Sequence, residues 1–291
     1  FTTVVLGGLF QIGFGVLRLG RFINLMPHPV TSGFMTGIGV IIIILQIPQV
    51  LGLYEIKGST MGIFSQLSNV ESYFANTGAI TIALITLAVV YLLPKKIGKF
   101  IPSPLFALIT GTLILFFFPE FFSSEAEPLN NMILGEIPTG LPSFQMPVWE
   151  ASIIFDMAAS GMMLAILGSI DSLLTSLVSD EITRTHHKSD RELIGQGIGN
   201  TVSGLFGGLP GAGATMRTMT NVKAGGLTPI SGALHAVLLL AIVLGGAQYA
   251  QAIPLAVLGA ILVKVGTDII DWEYLKSLVS APKSGALIMI V

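Results

Sequence analysis

Long apolar runs with almost no charge inside them limit this chain more than any other feature. Residues 1–17, 29–51, 78–93, 104–119, 153–179 and 227–247 form such runs. Each is close to the ~17–25 residues that carry a helix across a bilayer. A backbone in lipid has no water to bond, so segments of this kind must satisfy their own polar groups as helices. Shorter runs, interrupted by Gly and Pro, lie at 192–209, 211–224 and 252–266. The stretch 268–279 alternates acids with aromatic and aliphatic residues and reads as an interfacial helix. The expected fold class is an all-α polytopic membrane protein. Charged residues make up only 10% of the chain, against about 25% in soluble domains. That gap excludes an ordinary globular enzyme.

Charge placement gives the expected topology. With alternate loops on the cytoplasmic side, Arg18, Arg21, Lys95, Lys96, Lys99, Arg184, Lys188, Arg191, Lys223, Lys264, Lys276 and Lys283 all face inward. Lys57 alone faces outward. The loop 120–150 carries Glu120, Glu125, Glu127, Glu136 and Glu150 with no Lys or Arg. This asymmetry follows the positive-inside rule and predicts a multi-pass membrane protein; a bacterial plasma membrane is the expected location. Segment 211–224 must then enter from mid-membrane, being too short to cross alone. A net charge of −2 offers no basic stripe for nucleic acid. The chain has no cysteine and so no disulfide or thiolate metal site. Phe1 and Val291 both lie within apolar runs, which reads as an internal piece of a longer protein.

A faint echo runs through the chain. Pro27-His-Pro29-Val30 leads into a helix with Gly33 and Gly37, and Ile253-Pro254 leads into one with Gly259 and Gly266. On the charge map the two run in opposite directions, as in an inverted repeat. Proline also opens helices commonly, so chance accounts for the echo equally well.

Three features between 165 and 226 carry the chemistry. Asp171 lies mid-helix, where an acid costs roughly 2.5–3.5 kcal/mol to insert. Thr175 lies one turn on, along the same face. Together they offer oxygens to a hard cation or hold a proton; the bland alternative is a hydrogen bond to a neighbouring broken helix. Next comes Gly204-Leu-Phe-Gly207-Gly208-Leu-Pro210-Gly211-Ala-Gly213-Ala214-Thr215. Such Gly and Pro density unwinds a helix, and unwound backbone in a membrane must line a cavity. A helix restarting near Gly211 aims free N–H groups at that cavity and attracts anions. Close packing of small residues is the rival explanation. Arg217 follows one turn after Gly213. It either forks onto an oxyanion or snorkels toward the cytoplasm beside Lys223.

Other signals carry less. Gly195-Gln-Gly197-Ile-Gly199 lacks the βαβ setting of a nucleotide loop. His186 and His187 read as solvated loop residues. No His–Ser or paired-carboxylate set points to hydrolysis, and no cofactor is expected beyond a coupling ion.

Two stretches resemble the SulP, or sulfate permease, family of anion transporters. One runs Phe22-Ile-Asn-Leu-Met-Pro-His-Pro-Val-Thr-Ser-Gly-Phe-Met-Thr-Gly-Ile-Gly39. The other is the block 168–226, above all Glu192-Leu-Ile-Gly-Gln-Gly-Ile-Gly-Asn200 and Asn221-Val-Lys-Ala-Gly-Gly226. The resemblance implies a uracil-permease-type fold of two inverted seven-helix repeats, of which this chain spans about helices 4 to 12. It implies a core domain from 1–20 and 151–247 and a gate domain from 28–120 and 248–291. Helices 1–3 and a cytoplasmic STAS domain, through which the protein would form a homodimer, lie outside the chain. The family's anion site lies between the N-termini of broken helices 3 and 10, and Gly211 to Lys223 is helix 10. Asp171-Ser-Leu-Leu-Thr175 and Gly211-Ala-Gly-Ala-Thr215 are similar to the sodium-site motifs of the family's bicarbonate branch. The resemblance therefore implies Na⁺ at Asp171, Thr175 and the backbone of Gly213 and Thr215. It implies a small inorganic anion at Gly213, Ala214, Thr215 and Arg217. Arg217 departs from that branch, which carries a small residue there, and is typical of the wider family. The expected function is Na⁺-coupled uptake of bicarbonate or sulfate by elevator-like movement. The alternatives are H⁺-coupled sulfate or dicarboxylate transport, anion exchange, or a channel.

Overall fold

The computed structural model describes residues 1–25, 27–56, 58–67, 76–94, 98, 101–122, 132–137 and 140–277. Lys57, Lys95, Lys96, Lys99, Glu125, Glu127 and Lys283 of the charge map fall outside them.

In chain order the helices are α1 Thr2–Val16, α2 His28–Leu51, α3 Thr60–Leu67, α4 Thr77–Leu92, α5 Ser103–Phe117, α6 Ile154–Thr183, α7 Ser189–Leu205, α8 Thr215–Lys223, α9 Pro229–Gly245, α10 Leu255–Ile269 and α11 Trp272–Ser277. A 3₁₀ segment, Leu19–Leu25, follows α1. Every apolar run of the sequence becomes a helix. Residues 268–279 do not form one amphipathic helix. Asp268 and Ile269 complete α10, and a new helix starts at Trp272. The short pieces that hydropathy does not flag are the 3₁₀ segment, α3 and single helical turns at Pro119–Phe122 and Ala247–Ala250.

The chain divides into two compact units, Phe1–Pro27 with Gly140–Leu240, and His28–Thr139 with Ala241–Val291. The division falls inside α9.

In the first unit α1 lies antiparallel on α7, and glycines make the crossing possible. A Cβ on Gly8 would stand 2.6 Å from the Gly197 carbonyl oxygen, and one on Gly197 2.6 Å from that of Gly8. Gly15 meets the Asp190 carbonyl oxygen at 2.6 Å, and Gly204 meets the Val5 nitrogen at 2.9 Å. Gly8 and Gly15, like Gly197 and Gly204, are two turns apart, so each pair lines one face. Backbones in this kind of contact are how membrane helices associate without a hydrophobic driving force. At one end the Gly20 N–H donates to Asp190 Oδ1 at 3.0 Å. At the other the Gln145 N–H donates to the Leu205 carbonyl at 2.7 Å, and Thr2 exchanges hydrogen bonds with the Val148 backbone. The basic segments around Arg18 and Arg191 therefore share one end, and residues 145–148 of the acidic loop occupy the opposite one.

The second unit is drier. Ala79, Ile82 and Ala83 of α4, Leu115 of α5, Met132, and Ala256, Val257 and Ala260 of α10 form a buried apolar cluster. Here α2 and α10 run antiparallel. Gly39 meets the Gly266 carbonyl oxygen (2.6 Å for an added Cβ), and Gly259 meets Gln49 Cβ at 3.1 Å. The helices that follow Pro27–Pro29 and Pro254 thus have opposite directions, as the sequence echo predicts.

Candidate functional site

Between α7 and α8 the chain runs non-helical from Phe206 to Ala214. Gly207, at φ +71°, makes the first turn out of α7. Such a backbone inside a membrane domain needs partners for its polar groups; two helices supply them and a third buttresses the side chains that do. From α7, Ser203 Oγ donates to the Leu209 carbonyl at 2.9 Å. Asn200 then grips Gly211 on both sides. Its Oδ1 accepts from the Gly211 N–H at 2.7 Å, and its Nδ2 donates to the Gly211 carbonyl at 3.0 Å. Gln196, one turn earlier, donates to the same carbonyl at 2.6 Å. From α6, Ser172 Oγ accepts the Gly213 N–H at 3.0 Å, and Thr175 Oγ1 lies 2.9 Å from Thr215 Oγ1. From α1, Gln11 is fully buried. Its Oε1 accepts from Asn200 at 2.7 Å, and its Nε2 reaches Ser169 Oγ at 3.5 Å. Buried amides and hydroxyls persist only when paired in this way, and a fully paired network rigidifies what it holds.

Helix α8 begins at Thr215, four residues later than the Gly211 restart expected from sequence. The reason is local. Asn200 and Gln196 already hold both backbone groups of Gly211, and Ser172 holds the Gly213 N–H, so this stretch is drawn into extended form. Ala214 occupies the N-cap with φ −120°, ψ 103°, and its side chain offers nothing to the helix. The first backbone bond of the turn is Thr218 N–H to the Ala214 carbonyl at 2.9 Å. The three N–H groups before it, at 215–217, have no backbone partner among the described residues. Lys223 complements the dipole at the far end. Gly213 can be nothing else: an added Cβ would stand 2.9 Å from Ser172 Cα and 3.0 Å from Thr175 Cβ.

The structure brings Thr175, Gly213, Ala214 and Thr215 together. Asp171 flanks them from the preceding turn of α6. It is half-buried, and among the described residues its carboxylate has no hydrogen-bond or ion-pair partner. Arg217 is exposed and forms no ion pair among those residues. A carboxylate and two hydroxyls are hard oxygen donors suited to an alkali or alkaline-earth class of cation. An uncapped helix start suits an anion. Sequence reading missed Ser172, Gln11, Gln196 and Asn200. Ser172 stands three residues before Thr175, the spacing of one helix face. Gln196 and Asn200 are four apart, and Gln11 is an amide inside an apolar run; those spacings were the available signals.

An all-helical membrane domain whose broken helix is pinned by buried side chains is the architecture of a membrane carrier. The chain belongs to the sulfate permease family, which it matches over residues 1–291. It is 46% identical over 289 residues to the bicarbonate transporter BicA of Synechocystis, covering 99% of this chain and 50% of that protein. It therefore spans half the length of that relative. Its structure resembles the transmembrane domain of a cyanobacterial bicarbonate transporter, BicA, with a TM-score of 0.87 and 46% identity, over 99% of this chain and 71% of the other. The murine Solute Carrier 26 family member A9 anion transporter shares the fold, with a TM-score of 0.81 at 22% identity, over 100% of this chain and 47% of the other. The fold is the seven-plus-seven inverted-repeat transporter fold, here in part.

Proposed function

We propose that this chain is the ion- and substrate-binding part of a secondary transporter that takes up a small inorganic anion with Na⁺. One observation carries the reading: the uncapped start of α8 lies beside oxygens from α6, all of it held by a buried polar network. The anion meets the N–H groups at 215–217, with Gly213, Ala214 and Thr215 allowing close approach and Arg217 adding permanent charge. Na⁺ is carried as co-substrate by Asp171, Thr175 and the Gly213–Thr215 segment. A cation there offsets the charge of Asp171 and raises the field felt by the anion, which couples the two. Likeness to bicarbonate transporters makes bicarbonate the leading anion. Movement of the first unit as a core against the second as a gate is the elevator reading of the two-unit division. Dimerisation through a STAS domain and residence in a bacterial plasma membrane belong to the same proposal.

Arg217 favours a second reading. A guanidinium near the anion suits a dianion, and with it H⁺-coupled sulfate transport in which Asp171 carries the proton. Uptake of labelled bicarbonate and labelled sulfate by the full-length protein, with and without Na⁺, separates the two. Na⁺-dependent bicarbonate uptake is the expected result; Na⁺-independent, acid-stimulated sulfate uptake selects the alternative. Uptake of neither anion refutes both.

A further inference from the structure

The turn from α6 to α7 holds a side-chain relay that the anion site does not use. Arg184 leaves α6 in the left-handed conformation, φ 55°. The chain then wraps back onto Asp180. Its carboxylate accepts from Thr185 Oγ1 at 3.1 Å, from the His187 N–H at 2.8 Å and from His187 Nδ1 at 2.7 Å. The other ring nitrogen, Nε2, lies 3.0 Å from Ser189 Oγ, in the first residue of α7. Both partners of the His187–Asp180 pair are largely shielded, each with 16% of its side chain exposed.

We propose that Asp180, His187 and Ser189 form a proton-sensitive clamp on the α6–α7 turn, tightened when the imidazole is protonated. The geometry accepts both ring states without moving. In the neutral ring Nδ1–H donates to Asp180, and Nε2 accepts from the Ser189 hydroxyl. In the imidazolium Nε2–H donates instead and the hydroxyl rotates to accept. Protonation therefore breaks no bond and converts the hydrogen bond to the Asp180 carboxylate into a hydrogen-bonded ion pair. Histidine is the side chain whose charge changes between about pH 5 and 8.

Among the described residues Asp180 is the one charged group paired with the ring. From α7, Asp190 is turned toward the Gly20 N–H of the 3₁₀ segment. On that segment Arg21 lies over the Phe22 ring. Arg18, Glu181, Arg184, His186, Lys188, Arg191 and Glu192 form no ion pair among the described residues.

The clamp matters because of what its two helices carry. α6 presents Ser172 and Thr175 to Gly213 and Thr215, and α7 presents Gln196 and Asn200 to Gly211. The turn sets the register between them, so its stiffness is felt on both sides of the broken segment. This consequence rests on the transport reading above; the clamp itself does not.

The test has an arm for each. The chain contains no cysteine, so a fluorophore on His186→Cys in an otherwise cysteine-free full-length protein reports on the turn directly. Its anisotropy should rise from about pH 8 to about pH 6 and stay flat when His187→Gln or Asp180→Asn is added. A flat wild-type response overturns the clamp. In proteoliposomes, with whichever of labelled bicarbonate and sulfate is taken up, His187→Gln should match wild type at about pH 8. At about pH 6 it should need roughly two- to five-fold more anion for half-saturation, the range of a partly exposed ion pair. Superimposed uptake curves at both pH values overturn the link to transport. If neither anion is taken up, the transport reading fails and the anisotropy arm alone decides the clamp.

Discussion

The two units bury different chemistry. The second fills its interior with Ala79, Ile82, Ala83, Leu115, Val257 and Ala260. Its buried Thr86 bonds back to the Ile82 carbonyl of its own helix at 2.8 Å, and its buried Ser32, near the start of α2, donates to Asp271 Oδ2 at 2.7 Å. The first buries Gln11, Ser169, Ser172, Thr175 and Asn200, and all five reach across to another element. Both units use glycine to bring helices into contact, so tight packing does not distinguish them. What differs is whether the interior must hold a stretch of backbone that is not helical. An apolar core suffices for helices that satisfy themselves. A broken helix in a membrane needs amides and hydroxyls at fixed positions, and an interior that provides them can also hold ions.

The harshest way to break this comparison is at the seam that supports the polar interior. Gly197→Leu forces a side chain into the α1 backbone and should abolish recovery of folded protein, a cost well above the ~1–3 kcal/mol usual for overpacking. Gly199→Leu, two residues on with nothing within 4 Å of an added Cβ, should leave it intact. Size-exclusion profiles of the two variants decide the matter. A folded Gly197→Leu protein would mean that the helices separate more easily than their contacts imply.

Asp171→Asn should leave folding unchanged and remove Na⁺-driven accumulation. Wild-type accumulation in this variant, measured against the anion gradient, would make Asp171 structural. Asn200→Ala strips the Gly211 N–H and the Gln11 Oε1 of their partner, while Gln196 still holds the Gly211 carbonyl. It should cost about 1–3 kcal/mol, chiefly from the fully buried Gln11 left unpaired, and lower uptake in step. Thermal unfolding and uptake on the same preparation test whether the loss tracks stability. Arg217→Ala should weaken anion affinity by about 1–3 kcal/mol, and more for sulfate than for bicarbonate. Arg217→Lys should restore part of it, because charge returns without the fork. Equal affinities across the three proteins would remove Arg217 from the site. The smallest effect belongs to the dry unit. Thr86→Val deletes an intrahelical bond and should shift stability by less than about 1 kcal/mol. A loss as large as that of Asn200→Ala would erase the contrast between the two interiors.

Hydropathy and charge made nearly all the helices legible, since a membrane leaves the backbone few choices. The broken segment was legible from its Gly and Pro density, and Asp171 and Thr175 from their isolation in apolar sequence. The start of α8 was not. Propensity places a restart where glycines end, whereas the actual start depends on Asn200, Gln196 and Ser172 reaching from other helices. The same limit hid the Asp180–His187–Ser189 relay. His186 and His187 look alike in sequence, and only the left-handed exit at Arg184 folds one of them back onto α6.

The grip on the broken segment also predicts how its amides behave in deuterated water. Gly208, Gly211 and Gly213 lie outside any helix, yet their N–H groups are held by the Ser203 carbonyl at 2.7 Å, by Asn200 and by Ser172. The N–H groups at 215–217 are counted as helix, yet among the described residues no backbone group holds them. Exchange should therefore run against secondary structure, slow through the coil and fast at the helix start. An anion arriving at α8 would slow only the latter, which makes three amides a direct gauge of occupancy that needs neither a transported label nor a mutation.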